Sequence, residues 1–430
     1  MNRSAARVIG VGVLALASAR APGHPGATRD NPAPYDPAAT YAEVERAVAD
    51  RFLDEQMNGV DWSPACEARR ERALACTSPA ELGVIVNDLL GELGTSHTAF
   101  YPVGTRAWAE LLDVFLDDHP WDGWPADFVD LPVTYVGIGV VTREIGGRVF
   151  VADVYPDAPA AHAGVLVGDE LVSVAGERWA DAEPWPAPAG EGVVVRTRRD
   201  EGAPARELTI AGERTRPDDV FVAAQAASAH TIDAGGVRVG YVRMRNGAGQ
   251  AYTDLFERQF VDLTLDGADA LVLDIRGGWG GLPLDFVSNF DRDVSRFETR
   301  GRDEDEWREQ PVVWRRPLVV LMDAGSRSGK EVFVHNVRTA GVGTLVGERT
   351  GGAVVGGSPF PMPDGSVLYL AVVDVRIDGE RIEGVGVAPD IEVPFDLPYA
   401  AGADPQLDAA IAEAARLTRR PHATGTPPTP

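Results

Sequence analysis

Apolar and polar positions divide the chain into three textures. Over residues 41–57, 64–75 and 79–93 apolar side chains recur at steps of three and four, which predicts helices, and Gly94 stands where a helix C-cap belongs. From 133 to about 212 the runs are short and alternating, as in Gly137-Ile138-Gly139-Val140-Val141, Arg148-Val149-Phe150-Val151 and Glu170-Leu171-Val172-Ser173-Val174, with Gly and Pro between them. That texture predicts a compact β-rich module. From Gly236 onward strands and helices alternate: strands at 237–244, 270–274, 318–322 and 344–347, helices at 251–263, 282–290 and 329–339. This order implies an α/β layer on a largely parallel sheet. Late strands at 367–375 and 381–383 are expected to add a β edge, and a short helix at 405–417 precedes a Pro/Thr tail.

The expected architecture is therefore multidomain α/β. A helical N-terminal region spans 39–130, a β-rich module 131–215, an α/β domain 216–400, and a terminal helix and disordered tail 401–430. A length of 430 residues and an apolar fraction of 44% fit two or three domains with their own cores. Asp and Glu number 65 against 40 Lys and Arg, a net charge of -25, which argues against nucleic acid or an anionic membrane as partner.

The first residues have the pattern of an export signal. Arg3 and Arg7 precede an apolar stretch at 8–17, and Ala17-Ser18-Ala19 offers small residues for cleavage, so 1–19 is expected to be removed, leaving a Pro/Ala-rich linker at 20–38. The stretch is too short for a membrane anchor of about 20 residues, and no stable membrane insertion is expected. Cys66 and Cys76 are the two cysteines. On one straight helix they would stand about 15 Å apart, beyond the disulfide reach of about 7 Å, whereas export favours a bridge, and the pairing stays open. No histidine pattern supports a metal, and neither metal nor organic cofactor is expected.

The densest chemistry lies where the apolar run 317–322 breaks at Asp323-Ala324-Gly325-Ser326-Arg327-Ser328-Gly329-Lys330-Glu331 and resumes with helical spacing. A serine at a helix N-terminus sits beside unpaired backbone N–H groups that can hold an anion, which makes it a candidate nucleophile. Ser328-Gly-Lys-Glu331 equally fits a capping box, in which the serine oxygen takes an orphan N–H and the glutamate reaches back. A second block, Leu273-Asp274-Ile275-Arg276-Gly277-Gly278-Trp279-Gly280-Gly281-Leu282, is a strand ending in a glycine cluster. Without Cβ atoms its N–H groups can approach a ligand closely. It lacks the Gly-Lys-Ser/Thr ending of a phosphate loop, and an oxyanion loop is the better reading beside a plain tight turn.

With these blocks the chain resembles the tail-specific, or C-terminal processing, serine protease family, including its Tricorn-core branch. The resemblance covers most of 38–400 and rests on Leu93-Gly94-Thr95-Ser96-His97-Thr98, the β-rich module, the two blocks above, Gly347-Glu348-Arg349-Thr350-Gly351-Gly352, and Glu383-Gly384-Val385-Gly386-Val387-Ala388-Pro389-Asp390, in that order. It implies a crotonase-like catalytic domain and serine peptidase activity on polypeptides. One branch uses a lysine base about two dozen residues past the serine; here that block reads Thr350-Gly351-Gly352-Ala353, and Lys330 is the only lysine of the chain. Two positions from Ser328 along a helix, Lys330 points to another face. The Tricorn-like branch uses a Ser-His-Ser-Glu tetrad, and the resemblance assigns Ser328 as nucleophile, Ser326 being the weaker choice. His97 becomes the base, Ser96 and Glu383 its orienting partners, and the N–H groups of Gly329 and of Gly280 or Gly281 the oxyanion donors.

The β-rich module resembles a PDZ domain, with Gly137, Ile138, Gly139 and Val140 as the carboxylate-binding loop and Ile138 and Val140 lining a side-chain pocket. Such modules add a peptide strand to a sheet edge and catch its terminal carboxylate. Polypeptides, recognised in part by their C-termini, are thus the expected partners. Arg302-Asp303-Glu304-Asp305-Glu306 and Glu298 offer acids that would attract a basic side chain beside the cleaved bond. Two alternatives remain: a silent binding protein on the same scaffold, motivated by Gly278-Trp279 and Gly329, and an exported esterase, which leaves the PDZ-like module without a role.

Overall fold

The computed structural model describes residues 35–116, 133–179, 185–290, 297–300, 302, 308–310 and 313–419. The expected signal segment, the linker up to residue 34, the acids Asp303 to Glu306 and the tail from 420 lie outside the described residues.

Three helices open the described chain: α1 (Pro37–Arg51), α2 (Trp62–Leu74) and α3 (Pro79–Gly91). Asp36 caps α1 by accepting the N–H groups of Ala38 and Ala39. A reciprocal cap starts α3, where Ser78 Oγ accepts the Glu81 N–H and the Glu81 carboxylate accepts the Thr77 N–H. Cys66 lies buried within α2 and Cys76 lies past its end; both are free thiols, which resolves the open question against a bridge.

The helices do not close a core by themselves. Tyr41, Val44 and Leu89 pack with Phe100, Leu368 and Leu370, which belong to a three-stranded antiparallel sheet. Its strands are β1 (Ala99–Tyr101), from the N-terminal region, and two strands from the far end of the chain, β17 (Gly356–Pro361) and β18 (Val367–Val373). Ala99 pairs with Tyr369 and Tyr101 with Val367. The late strand is therefore part of a separate sheet and not an edge of the parallel one, and residues 381–383 form no strand. The reason is burial: Leu368 and Leu370 find their apolar cover on the N-terminal helices. This pairing carries the segment just before β1 across to residues almost three hundred positions away.

After α4 (Arg106–Leu116), the alternating segment folds as expected into strands from β2 (Tyr135–Gly137) to β9 (Glu213–Thr215). Between them β3 (Val140–Ile145), β4 (Arg148–Val154), β5 (Glu170–Val174), β7 (Gly192–Arg198) and β8 (Arg206–Ala211) form one sheet in that order, with β6 (Glu177–Arg178) beside β5. Its core gathers Ile138, Val140, Val151, Leu171 and Val195.

The third unit is a six-stranded sheet of order β10 (His230–Asp233), β11 (Arg238–Arg243), β12 (Ala270–Asp274), β15 (Leu318–Met322), β16 (Thr344–Gly347) and β19 (Ile391–Glu392), the strands β13 (Phe297–Thr299) and β14 (Arg308–Gln310) making a hairpin outside it. Only β10 runs antiparallel to its neighbour. Every residue of β12 and β15 is buried, the signature of strands covered on both faces. One cover includes Phe256, Phe260, Phe333 and Val337, and the other is the terminal helix at Pro405–Arg419 through Ala410 and Ala414. Leu271 pairs in parallel with Leu318 and Asp274 with Leu321, so the loops leaving both carboxyl ends emerge side by side. Such a crevice is where ligands bind in parallel sheets. The helix expected at 282–290 is absent; only a short 3₁₀ turn forms at Phe286–Phe290, because Leu282 holds its backbone against Gly329 and Pro283 follows.

Candidate active site

Ser328 sits at the last position before the helix Gly329–Ala340 with φ 58 and ψ -128. This is a left-handed backbone setting that costs a non-glycine residue roughly 1–3 kcal/mol and persists only where surroundings enforce it. The enforcement is visible: Ser328 N–H donates to Ala353 O at 2.7 Å, and a Cβ on Gly280 would meet Ser328 Cβ at 2.6 Å. Ser328 Oγ makes no capping hydrogen bond, so the serine half of the expected capping box is overturned. The strained turn points the hydroxyl away from the helix donors that it would otherwise satisfy.

Glu331, read from sequence as the cap's partner, feels the Ser328 backbone N–H and also grips a second loop. Fully buried, its carboxylate accepts Thr350 Oγ1 at 2.6 Å, Gly352 N at 2.7 Å and Ala353 N at 2.6 Å. It clamps the 350–353 loop against the helix that carries Ser328. Burial pushes its pKa up, and those donors pull against the rise. Ser326 is also fully buried, with Oγ donating to Ile275 O at 3.0 Å, a bond that holds two loops together.

Of the four tetrad candidates, three are joined directly. Ser96 Oγ donates to Glu383 Oε2 at 3.0 Å and lies 2.9 Å from His97 Nδ1, while Ser96 N donates to Glu383 Oε1 at 2.9 Å. A hydroxyl has one proton, and the carboxylate takes it, so Ser96 Oγ accepts from His97 Nδ1–H. That selects the tautomer with Nε2 unprotonated, ready to accept a proton. Burial pushes the His97 imidazole down to about 4, Arg327 adding to the shift and Glu383 opposing it. For Glu383 burial acts upward, but the Ser96, Val354 and Val355 donors outweigh it and hold the carboxyl below its ordinary value.

Ser328, the fourth, makes no side-chain hydrogen bond to His97. It approaches through its neighbours: Ala353 O accepts from Ser328, and the next two N–H groups, of Val354 and Val355, donate to Glu383 Oε2 at 2.8 and 3.3 Å. Catalytic contacts commonly tighten only with substrate present.

Among the oxyanion candidates, the backbone N–H groups of Gly280, Gly281 and Gly329 have no acceptor among the described residues. Gly280 faces Ser328, its would-be Cβ 3.3 Å from Oγ, whereas Gly281 faces Ala248. The loop is braced from beneath. Trp279 N donates to Arg245 O, Gly277 N to Asp323 Oδ1, and Lys330 Nζ to Arg245 O at 3.0 Å and Gly277 O at 2.7 Å. The one lysine is thus fully buried under the glycine loop, and burial pushes it down to about 7. A chain of charge continues below: Arg245 and Arg243 meet Asp153 of β4, and Arg276 meets Asp274 and Asp404.

In the β-module, Ile138 and Val140 are buried in its core and also line a cavity of about 210 Å³ with Gly137, Trp179, Trp185 and Arg214. Gly139, at φ +74, packs so closely that a Cβ would meet Ala158 Cβ at 2.2 Å. Arg106 donates to Val140 O, tying α4 to this loop. Among the described residues no group of three His, Cys, Asp or Glu is placed to hold a metal ion, and no helix is long and apolar enough to cross a membrane.

Sequence reading missed the Glu331 clamp, the Lys330 brace and the stacking of Arg327 on Trp279. The Glu331 signal was its fixed distance from Ser328, but a cap explained that spacing equally well.

Comparison with known proteins bears on the family and the fold. Residues 238–393 match the model of peptidase family S41, and residues 150–183 match a PDZ domain. The chain is 29% identical over 417 residues to Tricorn protease homolog 1 of Streptomyces coelicolor, covering 91% of this chain and 37% of that protein. It is 23% identical over 281 residues to carboxy-terminal processing protease CtpB of Bacillus subtilis, covering 61% of this chain and 56% of that one. The chain thus spans little more than a third of the first relative's length and just over half of the second's. The solved photosystem II D1 C-terminal processing protease shares the fold, with a TM-score of 0.51 at 22% identity over 86% of this chain and 98% of that one.

Proposed function

We propose that this chain, whose residues 238–393 match peptidase family S41 and residues 150–183 a PDZ domain, is an exported serine endopeptidase cleaving unfolded or C-terminally recognised polypeptides through Ser328, His97, Ser96 and Glu383. The observation that carries the reading is the Glu383–Ser96–His97 chain of hydrogen bonds, which leaves His97 Nε2 as a free base. In the proposed cycle Ser328 Oγ attacks the scissile carbonyl carbon as His97 Nε2 takes its proton, and the N–H groups of Gly329 and Gly280 hold the developing oxyanion. The C–N bond then breaks as His97 returns the proton to the leaving amine, and water, deprotonated by His97, hydrolyses the acyl-enzyme. Each oxyanion donor contributes about 3 kcal/mol when preorganised.

The leader pattern at 1–19 supports export. For substrate recognition, β3 is the edge strand of its sheet, the kind of strand to which a peptide strand can be added, and the Gly137–Val140 loop stands at its start.

Reaction of a fluorophosphonate probe with Ser328, lost in Ser328→Ala, tests the assignment. A catalytically silent scaffold is the alternative, favoured by the absence of a side-chain hydrogen bond between Ser328 and His97, and an unlabelled Ser328 in the folded wild type would establish it.

The pH profile supplies a second test. The base works when neutral, and a pKa lowered to about 4 keeps it neutral well into acid. The acid limb of kcat/KM is therefore expected near pH 4 instead of the about 6.5 of a free imidazole. A limb at 6 or above, with the protein still folded by circular dichroism, would contradict the burial of His97 in the working enzyme.

A further inference from the structure

Arg327 immediately precedes Ser328, and its guanidinium lies 4.9 Å from the centroid of the Trp279 ring. Other arginines around the site are paired: Arg106 with Glu110, Arg243 and Arg245 with Asp153, Arg276 with Asp274 and Asp404. Arg327 has no carboxylate partner and donates no hydrogen bond among the described residues. The acids that could neutralise it are held by other donors. Glu110 takes Arg106 and Trp279 Nε1, Asp323 takes the N–H groups of Gly277 and Gly325, and Glu383 takes Ser96, Val354 and Val355.

The guanidinium is half-buried, and its field reaches four neighbours: burial lowers the pKa of His97 and Lys330 and Arg327 adds to the fall, whereas burial raises Tyr101 and Tyr369 and Arg327 opposes the rise. The surroundings are aromatic: Tyr101 lies 6.4 Å from Trp279 and Tyr369 5.8 Å from His97, centroid to centroid. A cation stacked on an indole is held in one orientation, so little entropy is lost when it meets an anion. A carboxylate can take it bidentately, whereas an ammonium brought to the same place is repelled.

We propose that Arg327 is a specificity-determining residue, selecting substrates that present a carboxylate beside the scissile bond, either an Asp or Glu side chain or the polypeptide's own C-terminus. This rests on Ser328 being the nucleophile. It points opposite to the basic preference expected from the acidic run near residue 304.

The test uses the full chain and internally quenched peptides identical except at the positions flanking the cleaved bond. Three arms carry Glu, Gln or Lys there with an amidated C-terminus; a fourth carries Gln with a free C-terminus close to that bond. The wild type is expected to cleave the Glu or the free-terminus peptide with a kcat/KM about tenfold above amidated Gln, and Lys below it. The winning arm identifies the source of the carboxylate. Raising the salt should shrink the advantage, because the pair is partly exposed. In Arg327→Gln the ratio should fall to about one, and in Arg327→Glu the order of Glu and Lys should invert. Each ratio is taken within one preparation and does not depend on how much of a variant is folded. Equal rates on all four peptides in the wild type, or an acidic advantage undiminished in Arg327→Gln, would overturn the proposal. No cleavage of any peptide would instead overturn the hydrolase reading, and this proposal with it.

Discussion

Ser328→Ala and His97→Ala are each expected to lower peptide hydrolysis by about 10⁴-fold or more, with circular dichroism and the thermal midpoint essentially unchanged. The size follows from what each change removes. Without Oγ no covalent intermediate forms, and without the imidazole a hydroxyl must lose its proton at its own high pKa. The fold should tolerate both. Among the described residues Ser328 Oγ makes no capping hydrogen bond, and the His97 ring has one hydrogen-bond partner, Ser96, and one ring neighbour, Tyr369. The double variant should be little worse than either single one, because the two residues act as a unit. A His97→Ala enzyme retaining a tenth of wild-type activity would show that another group accepts the proton. Ser96→Ala and Glu383→Gln should cost less, since they orient and stabilise the base without touching the substrate.

The second large effect falls on stability. Glu331→Ala is expected to destabilise the protein by about 3–5 kcal/mol, read as a fall in the denaturant midpoint at constant m-value. A fully buried carboxylate with three donors leaves Thr350 Oγ1, Gly352 N and Ala353 N without acceptors when it is removed. Activity should fall as well, because Ala353 O holds the Ser328 N–H in its strained setting. Glu331→Gln keeps one acceptor and the volume, so it should fall between wild type and Ala in both readouts. A Glu331→Ala protein with unchanged midpoint and lost activity would mean that the carboxylate serves the chemistry and not the clamp.

The parallel sheet was legible because β12 and β15 are continuous apolar runs, and burial on both faces leaves no polar alternation to confuse them. The β-module was legible through its period of two. The late strand at Val367–Val373 was legible as a strand but not as a partner of β1, since nothing local says which apolar surface will cover it. The missing helix after the glycine loop had the right apolar spacing, yet the backbone of Leu282 was claimed by contact with Gly329.

Motif blocks in their order along the chain were enough to nominate Ser328, His97, Ser96 and Glu383 through the family resemblance those blocks carry. Distance was not in that information. The meeting of Ser96 with Glu383 depends on β1 pairing with a strand from the other end of the chain, and the lack of a carboxylate partner for Arg327 among the described residues depends on Glu110, Asp323 and Glu383 being held by other donors. Both are decided by packing between segments remote in sequence, where local propensity exerts no force.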